Sequence, residues 1–461
     1  MERKIEKGGE LLERQMLRHN LEQMDKMGEL LQCEREVNPE YELGAVLKYF
    51  RNKKPILFNK VKGSPVRVAG GLYGDREIIY NLLHMNHKNR LFKSMDAIAN
   101  PEPYKIVDNG PVKENIIRRN IDLPKIFPIP KLQEKDSSSF ITAGAMVLKD
   151  PKTGKHFTSI RRFQVNGNNE LSALIASPKL TNDFLELEKQ NKPLEIAIIL
   201  GYDAQFLMAS QISSSTYGID KYEVDSALRG EPLELIKCES VDLLVPAYSE
   251  IVLEGRIVPN KRKLEGPFGE LMGYYGAQAP HPIIEIDTIM HRNNPIFQLA
   301  FPCREEHVSN GLIREVELYN YLKNQVDVID VNVTEGGGYR FNAFASINKQ
   351  REGDGKSAII AALGSNRDLK QVVIVDGDVD IFDVQDIEWA ITTRAQASQD
   401  LVIVPGALGS SLEPSHDLRG VTDKVGIDAT KPLGEKRIRF ERAIIPGYEN
   451  IDISKYFPNI K

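Results

Sequence analysis

Apolar positions along the chain follow two rhythms. Leu17, Leu21, Met24, Met27 and Leu31 recur at steps of three or four, which predicts an amphipathic helix with one apolar stripe. Such a stripe docks on its own domain or on a partner subunit. Short apolar runs follow, PILFNKV and SPVRVAGG, and then the helix-like REIIYNLLHM. Mixed strand and helix signals of this kind predict a small α/β domain over residues 1–118.

From Pro124 to Pro130 the text IFPIP is broken by prolines, which remove backbone donors and suggest a crossover. Beyond it lie short β-like runs: SSFITAGAMVLKD, HFTSIRRFQV, LEIAIILG, LELIKCESVDLLVP and SEIVLEGRIVP. Turns such as DPKTGK and NGNN part them, so residues 119–312 are expected to form a β-rich central domain, a barrel or split barrel. EVELYNYLKNQ reads as a helical connector, and residues 313–461 return to α/β patterning. There the strands VIDVNV, NAFASI and VVIVD precede the helix VQDIEWAITTRA and the strand LVIVPG. That last strand–helix–strand run predicts a parallel pair.

Composition narrows the class. At 461 residues the chain exceeds one ordinary core. A hydrophobic fraction of 41% with 27% charged residues belongs to a soluble globular protein. Sixty Lys and Arg against 65 Asp and Glu leave a formal charge of -5, with no general electrostatic case for nucleic acid or an anionic membrane. Cys33, Cys238 and Cys303 lie far apart without a CxxC, which argues against a disulfide framework or structural zinc and for a reducing cytoplasm. The opening MERKIEKGGELLERQ carries charges where a signal peptide is apolar. No run reaches the roughly 18 apolar residues of a membrane helix. Neither secretion nor membrane spanning is expected.

The densest candidate chemistry is Glu265-Gly-Pro-Phe-Gly-Glu270. Its glycines let the turn crowd a ligand, and its paired carboxylates can divide proton-handling and ionised roles. On the motif alone, a surface turn with two solvated acids is the plainer reading. Asp376, Asp378, Asp380 and Asp383 resemble a calcium loop, but Ile381 and Ile387 stand where an EF-hand needs glycine and glutamate. Capping of the next helix explains Asp383 better. No Lys-Ser/Thr follows the glycines after Glu335, so a P-loop is rejected. The histidines show no metal-ligand spacing, and no GxSxG elbow is present.

Taken in order, SIRRFQV, KCESVDLLVPAYSEIVLEG, EGPFGELMGYY, IEWAITTR and KVGIDATKP resemble the UbiD family of decarboxylases, from about Leu21 to Pro432. The resemblance implies an N-terminal α/β domain, a central split β-barrel like that of flavin reductases, and a linker helix leading to a C-terminal α/β domain. It implies prenylated FMN, or FMN, as cofactor and a small carboxylic acid as substrate. By motif it assigns Arg162, Glu265 and Glu270 as the catalytic trio. Arg162 would orient the substrate carboxylate, and Glu270 would protonate the carbanion site after CO2 leaves. Thr142, Ser159, Ile160, Lys179, Lys221 and Lys424 are expected to bind the cofactor, and pocket-lining residues are expected near Leu271, Met272 and the segment Phe301 to Glu306. Arg304 there could read a second acidic or phosphate group, although a surface arginine is the commoner explanation.

Three positions depart from the family. Its divalent metal is held by Asn, His and Glu, where this chain has Phe157, Leu180 and Lys221. No metal is expected here. Lys221 is instead expected to meet the cofactor phosphate, unless it is a solvated lysine at a site that binds nothing. The leading reading is reversible, non-oxidative decarboxylation of an aromatic or α,β-unsaturated acid by a cytoplasmic homo-oligomer, dimer or hexamer. A cofactor-free companion subunit, assembled with other UbiD-like chains, is the alternative.

Overall fold

The computed structural model describes residues 15–457 apart from 151–152, 175–177, 214–217, 303 and 418. At its centre six antiparallel strands close on themselves. They are β1 (Phe140–Lys149), β2 (His156–Val165), β3 (Glu170–Ser172), β4 (Leu194–Leu200), β5 (Ile251–Glu265) and β6 (Ala279–His291). Their order is β5-β4-β1-β2-β3-β6, and pairing of β5 with β6 completes the ring. Closure pairs β5 on both sides from Ile251 to Ile257. Gly255 marks a register shift in the β5–β6 pair, where a Cβ would meet the Glu285 carbonyl at 2.1 Å. β1 is buried on both faces from Phe140 to Leu148, which is why its sequence reads as a continuous apolar run.

Helices Pro178–Lys189, Ala204–Ser210 and Lys221–Arg229 also belong to this region, which the strand-like patterning did not predict. Ala204–Ser210 is buried all round, so it shows no amphipathic stripe. Its N-cap is Asp203, which accepts from Phe206 N at 3.0 Å.

The N-terminal helix, Met16–Lys26, buries Met16, Leu17, Leu21 and Met24 against its own chain. It ends sooner than the stripe predicts. Gly28 adopts φ +72°, Glu29 N bonds back to Met24 O at 2.9 Å, and Leu31 already begins a strand. That strand, Leu31–Cys33, starts a sheet continued by Ile56–Phe58, Arg67–Gly70 and Ile296–Leu299. The last of these arrives from beyond the barrel, so the N-terminal unit is completed by distant chain. Glu250, wholly buried, ties the joint together. It accepts from Arg18 Nε at 2.7 Å and Nη2 at 3.0 Å, and from Ile296 N at 2.9 Å.

The helix Glu305–Leu322 connects the barrel to a five-stranded sheet of order Val328–Val333, Asn342–Ile347, Gln371–Asp376, Val421–Ala429 and Leu401–Leu408. Here the expected parallel pair is corrected. Leu401–Leu408 is an edge strand, antiparallel to Val421–Ala429, which separates it from Gln371–Asp376. Pro405 is the reason: it cannot donate to a ladder, and the register shifts between Val404 and Ala407. The parallel crossover is Asn342–Ile347, helix Asp354–Ser365, then Gln371–Asp376. Asp376 and Asp378 pair with Arg394, and Asp383 caps the helix Val384–Arg394.

Glu250→Ala should destabilise the protein by roughly 3 kcal/mol, because it leaves the Arg18 guanidinium without its buried partner. Urea unfolding of the variant beside the parent measures this, and a change under about 1 kcal/mol would remove the joint from its anchoring role.

Candidate active site

A cavity of about 680 Å³ opens between the barrel and the C-terminal region, within the usual range of roughly 300–1,000 Å³ for cofactor pockets. β2 supplies much of one wall. Alternation along a strand would send Arg161 and Arg162 to opposite faces. In fact both line the cavity. β1 and β2 pair Ile141 with Phe163 but Gly144 with Arg161, so β1 carries a bulge in which Thr142 and Ala143 stand opposite Arg162 alone, and the cavity takes consecutive β2 residues from Ser159 to Arg162.

Arg162 is held on three sides. Glu265, the completely buried last residue of β5, accepts from Nε at 2.7 Å and from Nη2 at 3.2 Å. Nη1 donates to Glu270 Oε1. The Phe268 ring centre lies 4.7 Å from Cζ, a cation–π contact. Burial opposes the guanidinium charge, but bonds and attraction from Glu265 and Glu270 outweigh it and hold the group above its ordinary value. Beyond β5 the chain turns at Gly266, with φ +89°, and pairs Phe268–Gly269 with Tyr275–Gly276. Glu270 N bonds to Tyr274 O at 2.7 Å. A Cβ on Gly276 would lie 2.7 Å from Glu270 Oε1, so glycine there leaves room for the carboxylate.

The trio therefore divides. Arg162 and Glu270 line the cavity, whereas Glu265 lies behind Arg162 and fixes its orientation. His281 Nε2 is 3.9 Å from Glu265, and burial lowers its pKa, which keeps the ring neutral near pH 7.

The wall fits a flavin phosphate ester. Thr142, Ser159, Ile160 and Arg161 line it, and Thr142 Oγ1, Ser159 Oγ and Arg161 Nε are buried without hydrogen-bond partners. Phe157, Leu180 and Lys221 line the same cavity, with Lys221 Nζ 5.0 Å from the Phe157 ring centre. They do not fit a divalent metal, since neither apolar side chain has a lone pair and an ammonium repels a cation. No group of three His, Cys, Asp or Glu able to hold a metal occurs among the described residues. Lys221 is buried, not a solvated surface lysine. It donates to the carbonyls of Thr158 at 2.7 Å and Ser210 at 2.6 Å. Burial and the Arg161 charge push its pKa down to about 7.

Other expected residues lie elsewhere. Lys424 is not among the cavity's lining residues. Its Nζ donates to the carbonyls of Arg367 at 3.0 Å and Leu363 at 3.3 Å, at the C-terminal end of helix Asp354–Ser365. The side chain of Lys179 lies outside the described residues. Leu271 and Met272 pack on Gly338 rather than lining the cavity. Pro302 and Glu306 do line it, whereas Arg304 pairs with Glu335 at 2.7 Å and donates to the Gly74 carbonyl at 3.0 Å. Sequence reasoning missed His307, Asn310 and Arg314 on the connecting helix, and Arg340 in the loop between strands Val328–Val333 and Asn342–Ile347. The three-or-four spacing of the helix residues was the available signal.

A closed split barrel with an arginine clamped between two glutamates at a flavin-sized cavity defines a class of flavin-dependent carboxy-lyase folds. Three family profiles for 3-octaprenyl-4-hydroxybenzoate carboxy-lyase match: the N-terminal domain at 21–98, the Rift-related domain at 105–305 and the C-terminal domain at 307–429. The chain belongs to the UbiD family. It is 37% identical to anhydromevalonate phosphate decarboxylase of Methanothermobacter thermautotrophicus, over 91% of this chain and 98% of that protein. It is 31% identical to phenolic acid decarboxylase of Bacillus subtilis, over 91% of this chain and 93% of that protein. The solved structure of the UbiD-class enzyme HmfF from Pelotomaculum thermopropionicum with FMN superposes with a TM-score of 0.92 at 42% identity, covering 96% of this chain and all of that one.

A pH effect follows from Lys221. Its folded pKa, about 7, lies below the roughly 10.4 of an unfolded lysine. Between those values the unfolded chain binds the extra proton, so the flavin-free protein should gain stability as pH rises from 7 towards 10. Unfolding free energies of the parent and Lys221→Met across that window should converge at low slope for the variant and rise for the parent. Parallel curves would mean that Lys221 is charged throughout.

Proposed function

We propose that the protein catalyses reversible, non-oxidative decarboxylation of an aromatic or α,β-unsaturated acid with prenylated FMN. The observation that carries this reading is Arg162, clamped by Glu265 and Glu270 at the wall of a cavity of flavin size. Relatives named as decarboxylases of anhydromevalonate phosphate and of phenolic acid, and HmfF structures with FMN and prFMN, support it.

Prenylated FMN, when bound, supplies an electron sink for the pair left behind as CO2 departs. The chain does the rest. Arg162, permanently charged and fixed by Glu265, orients the substrate carboxylate through its remaining donor surface. Glu270 gives a proton to the carbon that loses CO2 and removes it in the carboxylation direction. Thr142, Ser159 and Ile160 hold the flavin. Lys221 and Arg161 receive its phosphate in place of a divalent metal: two buried cations face a dianion, and an ammonium donates hydrogen bonds where a metal would accept oxygen ligands. The protein works in the cytoplasm as a homo-oligomer, a reading supported by exposed apolar residues such as Ile444, Ile445 and Tyr448 near the C-terminus.

Glu270→Gln should retain the fold and the flavin spectrum but lose at least about 100-fold in turnover. The assay uses protein co-expressed with a flavin prenyltransferase. Turnover near the parent's would remove Glu270 from the proton-delivery role, and a colourless parent protein would favour a companion subunit. Flavin should also survive exhaustive chelation and bind at least about tenfold more weakly to Lys221→Met. A stoichiometric divalent metal that flavin retention requires would refute the metal-free phosphate site.

A further inference from the structure

The wall of the cavity formed by the connecting helix and the loop after strand Val328–Val333 has no task in the reading above, and it is cationic. His307, Asn310 and Arg314 follow at steps of three and four, so one face of helix Glu305–Leu322 lines the cavity. Arg340 joins them from the loop after the three glycines. Asp368 lies between the two arginines, and its Oδ2 pairs with Arg314 Nη2 and with Arg340 Nη2, each at 2.8 Å. Asn310 Oδ1 takes Arg314 Nε at 2.6 Å. One carboxylate thus serves two guanidiniums.

The remaining donors are not satisfied. Arg314 Nη1, Arg340 Nε and His307 Nδ1 are buried without a hydrogen-bond partner. A purely structural bridge between helix and sheet needs only the two bonds to Asp368, and it does not explain why three further polar atoms are left unpaired beside a cavity. Burial and the Arg314 charge push Arg340 down to about 10, as expected where negative charge is in short supply. Glu306 also lines the cavity, with its Oε1 3.9 Å from His307 Nε2. These residues belong to the connecting helix and the C-terminal region, whereas Arg161 and Lys221 belong to the barrel domain. The cofactor phosphate and this cluster are therefore served by different elements.

We infer that the acid substrate carries a second anionic group, a carboxylate or a phosphate, held by Arg314, Arg340 and His307 while Arg162 takes the carboxylate that is lost. This rests on the decarboxylase reading, and its test is a binding measurement that needs no turnover. Three acids on one ring are titrated calorimetrically into the flavin-loaded full-length protein: benzoate, terephthalate and 4-phosphonobenzoate. At least one diacid should bind about tenfold tighter than benzoate, since two charge-assisted bonds are added. That preference should largely disappear in Arg340→Gln, with flavin content and melting temperature near the parent's. Tighter terephthalate identifies a dicarboxylic acid, and tighter 4-phosphonobenzoate a phosphorylated one. If Arg340→Gln does not fold, Arg314→Gln carries the same comparison. Equal affinity for all three acids overturns the inference. So does loss of flavin from Arg340→Gln with the diacid preference intact, which would assign the cluster to the cofactor phosphate. An enzyme that prefers diacids yet shows no decarboxylation would leave this subsite standing and remove the decarboxylase reading.

Discussion

A guanidinium that cannot turn is the constraint on which the site depends. Arg162 comes from β2, Glu265 from the end of β5 and Glu270 from just past the next short strand, and only barrel closure brings them together. Desolvating such charges costs several kcal/mol per ion, so the cluster persists only because each member is paired. Glu265 takes two of the five N–H donors of Arg162, and Phe268 covers a face of the guanidinium plane. What remains of its hydrogen-bonding surface is directed to Glu270 and the cavity. Orientation is thus built into the fold before any substrate arrives, which is how a positioned charge contributes to a reaction.

The cavity's electrostatics are arranged around anions. Arg161, Arg162 and Lys221 approach from the barrel domain, and Arg314 and Arg340 from beyond it. Burial of Lys221 beside Arg161 pushes its pKa down to about 7, and an anion held beside both cations would favour the charged form.

Parts distant from the cavity hold its walls in place. Glu315 on the connecting helix pairs with Arg90 at 2.8 Å and Arg76 at 2.9 Å, and Arg90 also pairs with Asp330 of the C-terminal sheet at 2.8 Å. The N-terminal region, connecting helix and C-terminal sheet therefore share one buried ion network. Glu250 does the equivalent at the barrel, joining Arg18 to the strand at Ile296. Arg76, Arg90 and Glu315 are each paired within the first network, unlike the donors around Asp368.

The sequence by itself determined the element types wherever an apolar rhythm was long: the β-runs of the barrel, the connecting helix and the strands of the last sheet. The family resemblance carried by its motifs also named Arg162, Glu265 and Glu270, and marked Phe157, Leu180 and Lys221 as departures from the family pattern. Other features were decided only by tertiary structure. A fully buried short helix has no polar face, so Ala204–Ser210 left no period to read. Arg161 reaches the cavity although strand alternation points it away from Arg162, because the cavity takes consecutive β2 residues from Ser159 to Arg162, and how far a cavity wraps a strand is set by the elements packed around it. Lys424 was diverted to helix carbonyls that only folding places beside it. Arg314 and Arg340 are 26 positions apart in sequence, and no local pattern links them. Their meeting at Asp368 exists because the sheet packs on the connecting helix, and long-range packing of that kind is set by the whole chain's burial rather than by any segment of it.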